Sequence, residues 1–182
     1  SGFVVMCTRK GIMKKTPLEE FQRSNRNGLI AISLKEDDEL IGVELTDGNC
    51  NIICVARNGK AIMFDESDIR SMGRTAQGVR AMNLEEGDEI VSMMIADPEK
   101  DVLIISERGY GKRTPIAEYN LQTRGGKGSR TYKITEKTGR LVGGKVVSND
   151  DEIMIVNIDG TLIRMEVKGI SVLSRVTSGV RL

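Results

Sequence analysis

The residues best suited to chemistry are arginines and lysines set on glycine-rich turns, and the chemistry they suit is neutralising phosphate. The densest case is Gln122–Gly128, Gln-Thr-Arg-Gly-Gly-Lys-Gly. Its glycines permit a tight, exposed backbone, because glycine alone takes positive φ without steric cost. Arg124 and Lys127 then stand on a loop whose bare amides can also face an anion. A single basic turn is unremarkable, but this one recurs. Gly28, Gly78, Gly128 and Gly179 are spaced 50, 50 and 51 residues apart, each after a polar stretch containing arginine. Around them stand Arg23 and Arg26, Arg74 and Arg80, Arg124, Lys127 and Arg130, then Arg175 and Arg181. A second set, Lys14-Lys15, Lys112-Arg113 and Arg164, follows another recurring glycine at matching positions. Equivalent positions in stacked repeats occupy equivalent places on a rim, so these residues are expected to form an exposed basic belt that tracks a phosphate backbone. The plainer alternative is a scatter of solvated charges.

Other chemistries find less support. Glu36-Asp37-Asp38-Glu39 and Glu85-Glu86-Gly87-Asp88-Glu89 match no calcium-loop spacing, and read as solvated turns that repel polyanions from one rim. The cysteines Cys7, Cys50 and Cys54 are odd in number and without a framework spacing, which argues for a reducing compartment. Cys50 and Cys54 would lie about 13 Å apart along an extended strand, too far for a disulfide. There is no histidine to complete a zinc set, and Cys7 and Cys54 read as core, as do Met93-Met94. No nucleophile, base and stabiliser recur together, so no catalytic or metal-binding residue is expected. With only 3 Phe, 3 Tyr and no Trp, stacking on single-stranded bases is disfavoured, and duplex is the better ligand.

The elements that must position these residues come from a repeat. The chain has 182 residues, with 27 basic and 26 acidic side chains that nearly cancel, so the distribution of charge matters more than its sum. No run of 18 apolar residues predicts a membrane span, and no signal peptide is recognised. The opening Ser1-Gly2 reads as the start of a piece from a longer protein. Turn glycines recur at Gly11, Gly59, Gly109 and Gly160, each preceded by an apolar run: Val4–Cys7, Ile52–Val55, Val102–Ile105 and Ile153–Val156. Such short β-branched runs predict strands buried on both faces. A further matched position lies ten residues after each glycine, at Phe21, Ile69, Tyr119 and Ile170. The first repeat is expected to hold four strands, Phe3–Thr8, Ile12–Thr16, Leu29–Leu34 and Leu40–Leu45, with Pro17–Asn27 linking the second to the third. Four short strands in about 50 residues make one propeller-like blade. The expected fold is therefore all-β, with repeats at about 3–49, 50–99, 100–151 and 152–182, the last stopping before its final two strands.

Lys14–Phe21 (Lys-Lys-Thr-Pro-Leu-Glu-Glu-Phe), Gly73–Arg80 and Gly109–Pro115 resemble the C-terminal domain of the bacterial DNA gyrase A protein, and the likeness runs the length of the chain. It implies a β-pinwheel, a propeller-like disc of roughly four blades here, with a modified strand exchange and a basic rim that wraps DNA. The family's signature box, Gln-Arg-Arg-Gly-Gly-Lys/Arg-Gly, is matched by Gln122, Arg124, Gly125, Gly126, Lys127 and Gly128, with Thr123 in place of the first arginine. In that family the full box lies in the first blade, so a near-copy in the third repeat suggests the later blades of a six-bladed domain. The implied partners are double-stranded DNA, the rest of the gyrase A protein and the gyrase B protein, in the bacterial cytoplasm at the nucleoid, with no membrane. The resemblance implies no cofactor in this chain; ATP and Mg belong to the cleavage core and gyrase B protein of the whole enzyme, and the catalytic tyrosine lies elsewhere. Alternatives are the equivalent C-terminal domain of topoisomerase IV, which usually lacks the box, and a propeller used as a protein-interaction platform.

Overall fold

Each repeat begins with a hairpin that its local sequence dictates. In the computed structural model, which describes residues 2–22 and 28–182, β1 (Phe3–Thr8) and β2 (Ile12–Pro17) pair antiparallel, with Val4 opposite Thr16 and Cys7 opposite Met13. Gly11 closes the turn at φ +91°, its N–H donating to Thr8 O at 3.0 Å. A third strand, β3 (Leu40–Thr46), pairs with the free edge of β1. The second repeat builds the same unit from β4 (Asn51–Ala56) and β5 (Lys60–Asp65). Its rim strand β6 (Val79–Arg80) leaves for the sheet before, and β7 (Ile90–Ile95) completes the inner edge. The third uses β8 (Asp101–Ser106), β9 (Tyr110–Pro115), β10 (Leu121–Gln122), β11 (Ser129–Arg130) and β12 (Leu141–Val147), and the fourth β13 (Glu152–Val156), β14 (Leu162–Glu166) and β15 (Val180–Arg181). The fold is an all-β pinwheel, and none of its described helical turns is long and apolar enough to cross a membrane.

The strand expected third in each repeat is placed differently. It is two residues long and seals the sheet of the repeat before: β6 pairs with β2, β10 and β11 with β5, and β15 with β9. In the first repeat Leu29–Leu34 forms no strand. The later repeats pair this run with the second strand of the preceding repeat. Steric room for the exchange comes from the recurring glycine. A Cβ on Gly78, Gly128 or Gly179 would lie 2.5 Å from the carbonyl oxygen of Met13, Ala61 or Gly111 on the strand being sealed.

Burial on both faces explains the continuous apolar runs. Ile52, Cys54 and Ala56 of β4 pack with Val5, Cys7 and Met13 of the first sheet. Their neighbours Ile53 and Val55 turn the other way, onto Val102, Ile104 and Leu141 of the third. Leu103 packs in turn with Val147, Val167 and Ile170. At the fourth sheet only the inner face is covered, and Met154 and Val156 are exposed. The matched positions Ile69, Tyr119 and Ile170 are buried where they follow the 3-10 turns Glu66–Asp68, Ile116–Glu118 and Val167–Gly169, while Phe21 is half-buried. The inner strands β3, β7 and β12 lie side by side, which leaves β6, β10, β11 and β15 on the outer rim.

Candidate nucleic-acid interface

The structure sorts the expected belt into buried, clamping and exposed cations. Four residues expected outside are inside: Lys14 and Lys112 are 0% exposed, Lys15 and Arg113 6%. The reason is the exchanged rim segment, which lies over the second strand of the preceding repeat and brings carbonyl oxygens that need donors. Lys14 Nζ donates to Ala31 O at 2.6 Å and to Arg74 O. Lys112 Nζ donates to the carbonyls of Ser174, Arg175 and Thr177 at 2.5, 3.2 and 2.7 Å, and stands over the Tyr132 ring. Burial pushes Lys112 down to about 8 and Lys14 below its ordinary value. Lys15 pairs with Glu66 at 3.6 Å, and Arg113 with Asp101 at 3.3 Å. In the second repeat Ile62 stands where the first and third sheets have lysine, and the segment above it is Gln122–Gly128. There Gly126 packs close to Ile62, so the glycine pair fits an apolar support.

A second set, Arg74, Arg124 and Arg175, is half-buried and grips backbone along the rim. Arg124 Nε donates to Asp68 O at 2.9 Å and its Nη1 to Arg80 O at 2.6 Å. Arg175 repeats both bonds one unit on, Nε to Glu118 O at 3.0 Å and Nη1 to Arg130 O at 3.1 Å. Arg74 Nη1 reaches Ile30 O at 2.8 Å. The rim segments of the second, third and fourth repeats thus each begin with an arginine that holds the end of the segment before it.

The exposed set is Arg80, Lys127, Arg130, Arg181 and Arg164. Arg80, Arg130 and Arg181 take the same place on three successive rim strands, β6, β11 and β15. Arg164 is apart from them on β14, its side chain 70% exposed and beside Glu152. Of the box-like residues, Gln122 lies on β10 paired with β5, and Gly125 and Gly128 take positive φ. Arg23 and Arg26 lie outside the described residues. Sequence reasoning missed Arg70 and Lys133, both exposed near the rim. Lys133 donates its N–H to Thr177 O of the next rim segment at 3.1 Å. Their counterparts are uncharged, Asn120 for Arg70 and Asn83 for Lys133, so a search for recurrence passes over them. Nearness to the rim glycines was the available signal.

Away from the rim several charges are paired. Glu89 accepts from Arg9 at 3.1 Å and from Arg57 at 2.7 Å, joining the first two sheets at the hairpin end. The Arg9 guanidinium, with Arg57 behind it, holds the Glu89 carboxyl below the usual carboxylate range. Asp38 and Asp88 of the acidic turns cap hairpin amides of Lys10 and Asn58. Asp47, Cys50 and Glu66 bring ligand atoms within 4.8 Å of one another. The Glu66 carboxylate, however, already accepts from Thr46 Oγ1 and the N–H groups of Gly48 and Cys50 besides facing Lys15.

The family model described as "DNA gyrase C-terminal domain, beta-propeller" matches residues 2–47, 51–97, 100–148 and 151–182. The chain belongs to this family. The DNA gyrase A protein of Clostridium acetobutylicum is 55% identical over 181 residues, 100% of this chain and 22% of that protein. The solved C-terminal domain of DNA topoisomerase IV superposes with TM-score 0.93 at 30% identity, over 100% of this chain and 57% of that one. A DNA gyrase A C-terminal domain gives 0.90 at 29%, over 100% and 61%. The chain thus spans about a fifth of the length of the curated gyrase relatives it matches. In this chain part of the recurring basic pattern is internal fastening and the rest lies on the rim.

Proposed function

We propose that the chain binds duplex DNA without sequence preference and bends it around its rim, as the wrapping module of a gyrase-type enzyme. One observation carries this. Arg80, Arg130 and Arg181 recur in the same exposed place on successive rim strands, while the acidic turns at the hairpin end engage backbone and arginine. A spread of cations along a curved edge is what bending needs, because bending 20–30 base pairs through 40–90° costs on the order of 1–6 kcal/mol and a single patch cannot offset it. The 55% identity to a gyrase A protein favours a gyrase setting over topoisomerase IV, whose solved domain superposes as well. In that setting the partners are the rest of the gyrase A protein and the gyrase B protein in the cytoplasm. ATP and Mg chemistry stays with the gyrase B protein and the cleavage core, and the module supports supercoiling without cutting DNA.

The test is a titration and a ligation. With Arg70, Arg80, Lys127, Arg130, Lys133 and Arg181 facing phosphates, log K against log salt should fall with a slope of about −5, at roughly 0.9 per phosphate. Sealing a nicked circle at saturation should trap a changed linking number, positive for the right-handed wrap that the family implies. Binding with a flat salt response removes the belt, and salt-dependent binding with unchanged linking number reduces the function to binding without wrapping.

A further inference from the structure

Arg124 and Arg175 hold identical two-point grips. In each, Nε bonds the carbonyl that ends a 3-10 turn, Asp68 or Glu118, and Nη1 bonds the carbonyl of the rim-strand arginine of the preceding segment, Arg80 or Arg130. Further bonds run alongside. Gly125 N–H donates to Ala81 O at 2.9 Å, Asn83 N–H to Gly126 O at 2.8 Å, and Lys133 N–H to Thr177 O at 3.1 Å. Arg124 also draws its own N–H onto Asp68 Oδ2 at 3.2 Å. All these bonds run along the rim, from one segment to the next. The buried lysines act from beneath the rim: Lys112 ties one segment inward to the sheet it seals, and Lys14 holds Arg74 O together with Ala31 O of the segment before.

We propose that Arg124 and Arg175 are positioning residues which act on DNA through the segments they join, setting the angular step along the rim and hence the curvature offered to the duplex. This rests on the wrapping function proposed above. The physical reason is the guanidinium itself, a rigid planar fork that can span two carbonyls at fixed angles. An ammonium carries the same charge as a point donor on a flexible stem, so it lacks two N–H groups fixed at set angles to each other. Both carbonyls are neutral, so the grip leaves the positive charge at the rim while fixing its place.

The charge-conserving double variant R124K/R175K separates this role from a phosphate contact. Its salt slope should match the parent chain, because both cations remain. Amide exchange at Gly125, Asn83 and Lys133 should rise by about tenfold as the joints open locally. The linking-number change at saturation should fall by roughly half, since phosphate sites no longer held on one curve cannot offset the bending cost. Unchanged exchange, or an unchanged linking number, overturns the inference. So does a slope reduced by about two in the charge-removing pair R124A/R175A with exchange unaltered, which would make both arginines direct phosphate contacts. If the double variant fails to fold, R124K alone tests one joint by exchange at Gly125 and Asn83. A parent chain that changes no linking number defeats the wrapping function, while the exchange measurement still decides whether the arginines fasten the rim.

Discussion

Lys112 shows what burial does to a cation that sequence pattern assigns to the surface. Its ammonium has three carbonyl partners and an aromatic face, yet desolvation still holds it down to about 8. An unfolded lysine titrates near 10.4. Between those values the unfolded chain holds more protons than the fold, so raising the pH through this window stabilises the fold. Chemical denaturation of the chain and of Lys112→Met across about pH 7–10 should show a gain with pH in the parent that the variant lacks. Above about pH 10 the buried phenol of Tyr119, pushed up to about 12, works the opposite way, because the fold then keeps a proton the unfolded chain has lost. Lys112→Met should also leave the salt slope of DNA binding unchanged. A slope reduced by about one would return Lys112 to the phosphate surface.

The rim segment depends on one feature of its backbone. Gly128 takes φ +77°, and a Cβ there would stand 2.5 Å from Ala61 O and 2.8 Å from Met82 Cε. Gly128→Ala therefore meets strain at positive φ together with a backbone clash, and should lift β11 off β5. A loss of about 1–3 kcal/mol is expected, read as a lower denaturation midpoint with faster exchange at Thr131 N–H, which bonds Gly59 O at 2.8 Å. Gly28→Ala is the control: nothing among the described residues lies within 4 Å of the added carbon, so it carries the same φ penalty without the clash and should cost less. Equal losses at the two glycines would show that close approach to β5 is not what Gly128 provides.

At the scale of the molecule, strand exchange decides how the repeats behave together. A linear array whose units touch only their neighbours can unfold in pieces. Here each of the first three sheets contains a strand from the following repeat, so no repeat can leave without opening its neighbour. Tyr110, Tyr119 and Tyr132 all lie in the third repeat, which makes near-ultraviolet circular dichroism a local probe and far-ultraviolet a global one. The two transitions should coincide in urea, as a two-state unit requires. Separated midpoints would mean that the exchanged strands are too short to couple the sheets. The same linkage bears on DNA, because a rim that opened sheet by sheet could not hold phosphate sites on one curve.

The local features of the chain were legible in its sequence because their causes are local. Turn glycines at Gly11, Gly59 and Gly109 and the apolar runs ahead of them specify hairpins and strands buried on both faces, since φ preference and side-chain alternation act within a few residues. Cys7 and Cys54 were readable as core for the same reason. What each basic residue faces was not readable, as Arg113 and Arg164 show. They hold equivalent positions on β9 and β14, yet Arg113 is 6% exposed under a rim segment while the Arg164 side chain is 70% exposed. The difference is whether a strand from the next repeat lies above. That covering strand comes from about 70 residues further along, as with Val180 paired to Gly111, so no local pattern carries it. Recurrence located the arginines; only the tertiary structure decided which of them fasten the rim and which remain on its surface.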